Sequence, residues 1–340
     1  MSASGGPHPV LRAVLIGLAG ASLARVAGLP AAPLIGASLA VSAAAWAGMR
    51  LTMPVALRNL GFLAIGLSLG SGVDTGILDD LSHWALSLAM LALSLLATLL
   101  AGAAMLRRVA GQDRTTAILS ASPGTMSYAL AIAEERKADV TAVLVVQSMR
   151  LLILASVVPV AVQLLAEAPP VLPARAAMAP VPLAALAIVA AGAAAVLGRA
   201  GVPAAWLIGG FAASGVAHAT GLVAGLLPGW ALFAAFTVTG TVIGTRFSGL
   251  SPSALGRNLL ATVMAGTVSA GVAMLFAALV AGLTAIPFAQ LWVAFAPGGV
   301  EAMAAVGLAL GYDPAFIAVH HLARIAILMV LVPMVLTRGR

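Results

Sequence analysis

The chain has 340 residues, of which 62% are hydrophobic and 8% charged, whereas soluble domains carry about 25% charged residues. That composition excludes a soluble globular enzyme, a disordered chain and a nucleic-acid binder with a solvated basic face. The net charge of +7 arises from 17 Lys+Arg against 10 Asp+Glu. The cations stand at the ends of apolar runs, where the positive-inside rule places them, and leave no basic face over for nucleic acid.

A bilayer-crossing helix needs about 20 apolar residues. In chain order, the first half predicts spans over 10–28, 31–49, 56–73 and 83–106, a Pro-Gly segment over 115–137, and a span over 140–165. The second half predicts spans over 180–198, 203–220, 229–246 and 258–282, a segment over 286–311, and a span over 315–336. No stretch alternates apolar and polar residues as a transmembrane β-barrel does. The chain has no cysteine, which excludes disulfides and thiolate metal sites.

The two halves match at an offset of 174. Ser122-Pro123-Gly124-Thr125 lies against Ala296-Pro297-Gly298-Gly299. Without a gap, Asp139 then meets Asp313, Gln147 meets His321, Arg150 meets Arg324 and Pro159 meets Pro333. Upstream, residues 27–36 match 200–209 with a one-residue shift, and Gly66 and Gly70 pair with Gly240 and Gly244. Rare residues recurring at one offset define two membrane repeats, 1–170 and 175–340. The run after Met1 to Pro9 could pass for a signal peptide, but it belongs to the repeat and is expected to be mature protein.

The cations choose between two topologies. With five spans per half and the N-terminus inside, thirteen of the 17 fall inside, Arg25 and Arg175 fall outside, and Arg150 and Arg324 lie within spans. With six spans per half, nine fall inside against six outside. The first arrangement is favoured, and an odd number of spans per half makes the repeats inverted. The expected fold is an all-α polytopic membrane protein with two inverted repeats of about five transmembrane helices. Each repeat carries a Pro-Gly re-entrant or broken helix.

Proline lacks an amide donor and disfavours helix at the residue before it, while glycine permits positive φ. Inside a membrane, such a break is tolerated where protein or a water-filled cavity satisfies the backbone. A break repeated in both halves points to a binding site. Helices restarting after Gly124 and Gly299 aim positive N-terminal ends at the midplane, which favours an anion such as a carboxylate. Ser122, Thr125 and Ser127 add hydroxyls in the first half. Glu301 replaces Ser127 in the second, either to bind a coupling cation or proton or to cap its helix.

Arg150 and Arg324 each follow their aspartate by eleven residues, about 16 Å along a helix. An intramembrane arginine faces a cavity or a partner, because an unpaired charge there is costly. Each is therefore a candidate to hold a substrate carboxylate with its planar fork, or a structural ion pair. Asp139 and Asp313 read as helix caps. His321 aligns with Gln147, which suggests a hydrogen-bonding position rather than a metal ligand, and no metal set converges with it.

Pro123-Gly124-x-x-Ser127 through Asp139 to Arg150, and Pro297-Gly298-Gly299-x-Glu301 through Asp313 to His321 and Arg324, resemble the AbrB family of bacterial inner-membrane proteins. That family carries a duplicated membrane domain. The resemblance implies residence in the bacterial cytoplasmic membrane with cytoplasmic termini. Its members are variously labelled ammonia monooxygenase or regulator of gene expression. No metal constellation supports the first label and no DNA-binding module the second. The layout is also similar to secondary transporters with inverted five-span halves and Gly-rich re-entrant loops. The expected function is secondary transport of a small organic anion, without catalysis or a resident cofactor, coupled to H⁺ or Na⁺. Its substrate site is expected at Ser122, Pro123, Gly124, Thr125, Ser127, Arg150, Pro297, Gly298, Gly299, Glu301, His321 and Arg324. The alternative is a membrane sensor or regulatory partner that binds a ligand without moving it. The expected partners are a small anionic solute and the bilayer, with no direct nucleic-acid contact; homo-oligomerisation is left open.

Overall fold

The computed structural model describes residues 8–123, 126–165 and 175–337, apart from the side chains of His8, Leu78 and Ser127. The expectations placed on Gly124, Thr125 and the Ser127 side chain, and on the terminal Arg338 and Arg340, lie outside the described residues. Fifteen helices are described. The first eight are α1 (His8–Val26), α2 (Ala32–Trp46), α3 (Val55–Gly70), α4 (Ile77–His83), α5 (Ala85–Ala110), α6 (Arg114–Ala121), α7 (Met126–Glu135) and α8 (Val140–Leu165). They are followed by α9 (Pro180–Arg199), α10 (Ala205–Ala219), α11 (Gly229–Thr245), α12 (Pro252–Leu283), α13 (Phe288–Phe295), α14 (Val300–Ala309) and α15 (Pro314–Thr337). No strand occurs among the described residues. The protein is an all-α polytopic membrane protein.

Every predicted span is a helix within a few residues. The hydropathy reading missed α4, whose Asp79, Asp80 and His83 remove any apolar run. Each Pro-Gly segment is two short helices around the proline, α6–α7 and α13–α14, because Pro123 and Pro297 have no N–H to continue the ladder. Six helices, α1, α5, α8, α9, α12 and α15, are long and apolar enough to cross a membrane. Helices α2, α3, α10 and α11 have 15 to 17 residues, about 22–26 Å at 1.5 Å per residue.

These four short helices pack closely in pairs. A Cβ built on Gly66 would lie 2.2 Å from Leu207 O, and one on Gly70 2.6 Å from Phe211 O. Likewise a Cβ on Gly240 would lie 2.4 Å from Leu34 O, and one on Gly244 2.6 Å from Val41 Cβ. Ascending residues meet ascending residues in both pairs, so α3 runs parallel to α10 and α11 parallel to α2. Bare backbone at these crossings gives the close approach that substitutes for hydrophobic drive between membrane helices. The turns feeding α2 and α10 also match, with Gly28 and Gly201 at φ 71° and 72° and Ala31 and Ala204 at φ 48° and 55°.

The outer surface is apolar. Leu23 and Val26 of α1, Ile188 and Val189 of α9, and Leu260 and Leu275 of α12 are all exposed, as a lipid-facing surface requires. Gly240→Ala is expected to push α2 and α11 apart and to cost about 1–3 kcal/mol. Gly271→Ala, where the added methyl meets open space, is the matched control. Thermal unfolding of the two variants in detergent checks this, and equal midpoints would contradict the packing account.

Candidate functional site

The ends of each broken segment meet. The Asp139 N–H donates to Thr116 Oγ1 at 3.0 Å, joining the start of α8 to the first turn of α6. The Asp313 N–H donates to Gln290 Oε1 at 3.4 Å, joining the start of α15 to the first turn of α13. Thr116 and Gln290 are themselves 174 residues apart. Each segment therefore leaves and returns at one level as a helical hairpin with its proline, Pro123 or Pro297, between the two short helices. The aspartates cap as expected: Asp139 Oδ1 accepts from Ala142 N at 2.9 Å, and Asp313 Oδ1 from Ala315 N at 2.9 Å and Phe316 N at 3.2 Å. Asp113 caps α6 through Thr116, whose hydroxyl also donates to its carboxylate.

The two aligned arginines differ in their bonding. Arg150 Nη1 donates to Ser120 O at 3.2 Å and Ala121 O at 2.7 Å, and Nη2 donates to Ser122 O at 2.7 Å. Its guanidinium thus closes the C-terminal carbonyls of α6, which have no N–H donor beyond the break. Instead of facing a solute, Arg150 is held by its own hairpin together with Ser122 and the buried Pro123. Arg324 makes one such bond, Nη1 to Ala296 O at 2.6 Å. Its Nε and Nη2 have no partner, and the residue is 0% exposed. Gln147 Nε2 donates to Leu119 O at 2.8 Å, but neither ring nitrogen of its counterpart His321, also 0% exposed, has a partner. A His and an Arg with four unpartnered nitrogens thus lie three residues apart on buried α15.

The protein also contains a cavity of about 760 Å³. Its walls bring both hairpin tips together: Met126 and Tyr128 from α7, and Gly299 and Glu301 from the start of α14. The exposed Gly201 of the α9–α10 turn is also part of its lining. The remaining polar wall comes from Arg58 and Asn59 of α3 and from Thr245 and Arg246 at the end of α11. Glu301 lies within electrostatic reach of both Arg246 and Arg324; Arg58 acts on Arg246, and Arg150 on Arg324. Met53, Phe62, Trp206, Val242 and Met329 supply apolar lining.

Of the expected site residues, Gly299 and Glu301 reach this cavity. Pro297, Gly298, His321 and Arg324 are buried and do not line it, and Ser122, Pro123 and Arg150 belong to the packing of the other hairpin. The sequence reading missed Arg58, Asn59, Tyr128 and Arg246. One signal was available, because Arg58 falls within the predicted span 56–73, near its start.

Fold and site together define a polytopic helical membrane protein organised around two proline-broken hairpins. The chain belongs to the AbrB family: the family model described as transition state regulatory protein AbrB matches residues 33–338. It is similar to the uncharacterized protein YhjN of Bacillus subtilis (strain 168), at 27% identity over 296 residues, covering 81% of this chain and 76% of that relative. No solved structure matches it.

Proposed function

We propose that the protein is a secondary transporter of a small organic anion carrying a carboxylate, coupled to H⁺ or Na⁺. The carrying observation is the cavity lined by both hairpin tips, with Arg58 and Arg246 on its wall, together with a buried Arg324 whose Nε and Nη2 have no partner. Nε and Nη2 are the two donors on one side of a guanidinium, and they suit the two oxygens of a carboxylate bidentately. An arginine left half-paired in hydrocarbon is costly, so a ligand that completes it has a large affinity source. In this reading a solute is drawn in by Arg58 and Arg246 and passes to Arg324 when the hairpin tips part.

The inverted arrangement of the repeats is supported by helix direction. Consecutive spans α2 and α3 run oppositely, yet α10, the counterpart of α2, runs along α3. The returning hairpins add an even number of passes, which leaves five crossings per half. The cation count then puts Arg58 and Arg246 on the cytoplasmic side, so the cavity faces the cytoplasm in a bacterial inner membrane. Two hairpins of opposite sense meeting near the midplane are the layout from which alternating access is built.

Purified protein in liposomes is expected to accumulate at least one of radiolabelled acetate, pyruvate, succinate and citrate under an imposed pH or Na⁺ gradient. Uptake should vanish on gradient collapse. Ligand-induced stabilisation without uptake or exchange would move the protein to the class of membrane sensors. Neither stabilisation nor uptake by any of the four would overturn the carboxylate assignment.

A further inference from the structure

We propose that the solute is a monocarboxylate with an apolar body, such as an arylalkanoate, and that Phe62 and Val242 select it. The inference rests on the carboxylate reading above and narrows its substrate class.

The cavity is layered. A Cβ built on Gly61 would lie 2.9 Å from Val238 Cγ1, while Arg58 lies within electrostatic reach of Arg246. Descending α3 therefore means ascending α11, and the two helices are antiparallel. Arg58 is the fourth residue of α3 and Arg246 directly follows α11, so both arginines stand at the same end of the pair. One turn further into each helix the wall changes character. Phe62 follows Arg58 by four residues and Val242 precedes Arg246 by four; both line the cavity and are buried. Residues four apart share a helix face and lie about 6 Å apart along the axis. Because the helices are antiparallel, both steps go the same way. A cationic layer thus opens onto an apolar one about one helical turn deeper.

The cationic layer suits one carboxylate. Arg58 donates through Nε and Nη2 to Asn59 Oδ1 at 3.3 and 3.2 Å, and Arg246 donates through Nη1 to the Met126 thioether at 3.8 Å. These acceptors are uncharged, and a carboxylate is a stronger partner for a guanidinium. The charged residues lining the cavity are Arg58, Arg246 and Glu301, two cations and one anion, so its wall carries an excess of one positive charge. A single carboxylate balances that excess. A second carboxylate on the same solute has no comparable place. Reaching inward, it would be desolvated between Phe62 and Val242 without a donor, which is costly for an ion. Turning back to the arginines, it would meet Glu301 and leave a negative charge unbalanced. Arg324 does not line the cavity and offers it no partner there. An apolar body, by contrast, meets Phe62 and Val242 with Trp206 and Met329 alongside. Such a lining, apolar with a few convergent polar groups, is the usual wall of a small-molecule site.

The test is equilibrium binding of radiolabelled phenylacetate to the purified full-length protein, with displacement by unlabelled acetate, pyruvate, succinate, citrate and phenylacetamide. Phenylacetate is expected to bind about thirtyfold more tightly than acetate, the gain from burying one phenyl group. Succinate and citrate are expected to displace it no better than acetate does. Phenylacetamide keeps the ring, loses the charge, and is expected not to displace it. Phe62→Ala is expected to lower the phenylacetate preference over acetate by at least about fivefold. That preference is a ratio read within one folded variant, so a loss of stability does not alter it. Should Phe62→Ala fail to fold, the ligand series on the native protein decides. Tighter binding of succinate or citrate than of phenylacetate overturns the proposal and leaves the carboxylate reading standing. Displacement by phenylacetamide equal to that by phenylacetate also overturns it, as does an unchanged preference in Phe62→Ala. Phenylacetate binding without uptake or exchange of any carboxylate in liposomes would end the transport reading and support this assignment. Binding of none of the carboxylates would overturn the carboxylate reading and the proposal with it.

Discussion

Arg324→Ala is expected to abolish carboxylate uptake and to weaken carboxylate binding by at least about thirtyfold, from the roughly 2 kcal/mol or more at stake in a buried charge-assisted pair. The expectation follows from the bonding of the native side chain. One terminal nitrogen holds the Ala296 carbonyl at the end of α13, while Nε and Nη2 are unpartnered in a residue with no exposed surface. Removing the side chain therefore deletes the two donors that a planar carboxylate would use and leaves one carbonyl unpaired. Arg324→Lys separates these effects. Lysine retains the charge and can still reach a carbonyl, but it has no pair of parallel donors. It is expected to recover thermal stability and to remain at least about tenfold weaker in carboxylate affinity. Ligand-dependent shifts in unfolding temperature, read for each variant against its own ligand-free midpoint, distinguish the outcomes. Full affinity in Arg324→Lys would show that a point charge suffices and that the fork is not used.

Much of the scaffold was legible because membrane helices announce themselves by excluding charge. The runs that became α1, α5, α8, α9, α12 and α15 contain few charged residues, and their ends fell where arginines or prolines begin. Helix α4 was invisible for the same reason, since Asp79 and Asp80 carry it at the surface. The breaks at Pro123 and Pro297 were legible because a missing N–H is a local property. The return of each hairpin was not, because it depends on bonds from Thr116 to Asp139 and from Gln290 to Asp313, and residues 23 apart leave no periodic trace. Gly66, Gly70, Gly240 and Gly244 were visible as a recurrence, and the structure gives the recurrence its meaning as two close helix crossings. The site was harder to read. Arg246 looked like a topology-setting cation at the end of a span, and at that position it also serves as cavity wall. The alignment made Arg150 and Arg324 equal candidates, and alignment cannot count how many carbonyls each one holds.

That count separates the second large prediction from the first. Arg150→Ala is expected to destabilise the fold by about 3 kcal/mol or more, because three backbone carbonyls, those of Ser120, Ala121 and Ser122, lose their donor, at about 1–3 kcal/mol for each buried group left unpaired. No water replaces the guanidinium easily there, since Arg150 is 6% exposed and its α8 neighbours Leu151 and Leu154 are buried. Arg150→Lys keeps its donors on a single nitrogen, which cannot span three carbonyls as the guanidinium does, and is expected to fall between the native protein and Arg150→Ala. The loss should appear in the ligand-free protein, as a lower unfolding midpoint and a lower yield of monodisperse material. The additional stabilisation by a saturating carboxylate should persist in whatever fraction is folded. Arg324→Ala shows the opposite pattern, with a modest change in the ligand-free midpoint and loss of the ligand increment. Two arginines at equivalent places in a duplicated chain would then perform different work. One closes a helix end with both of its terminal nitrogens. The other closes a helix end with one nitrogen and keeps the adjacent edge for a ligand. A loss of the ligand increment in Arg150→Ala equal to that in Arg324→Ala would return both residues to a single shared site.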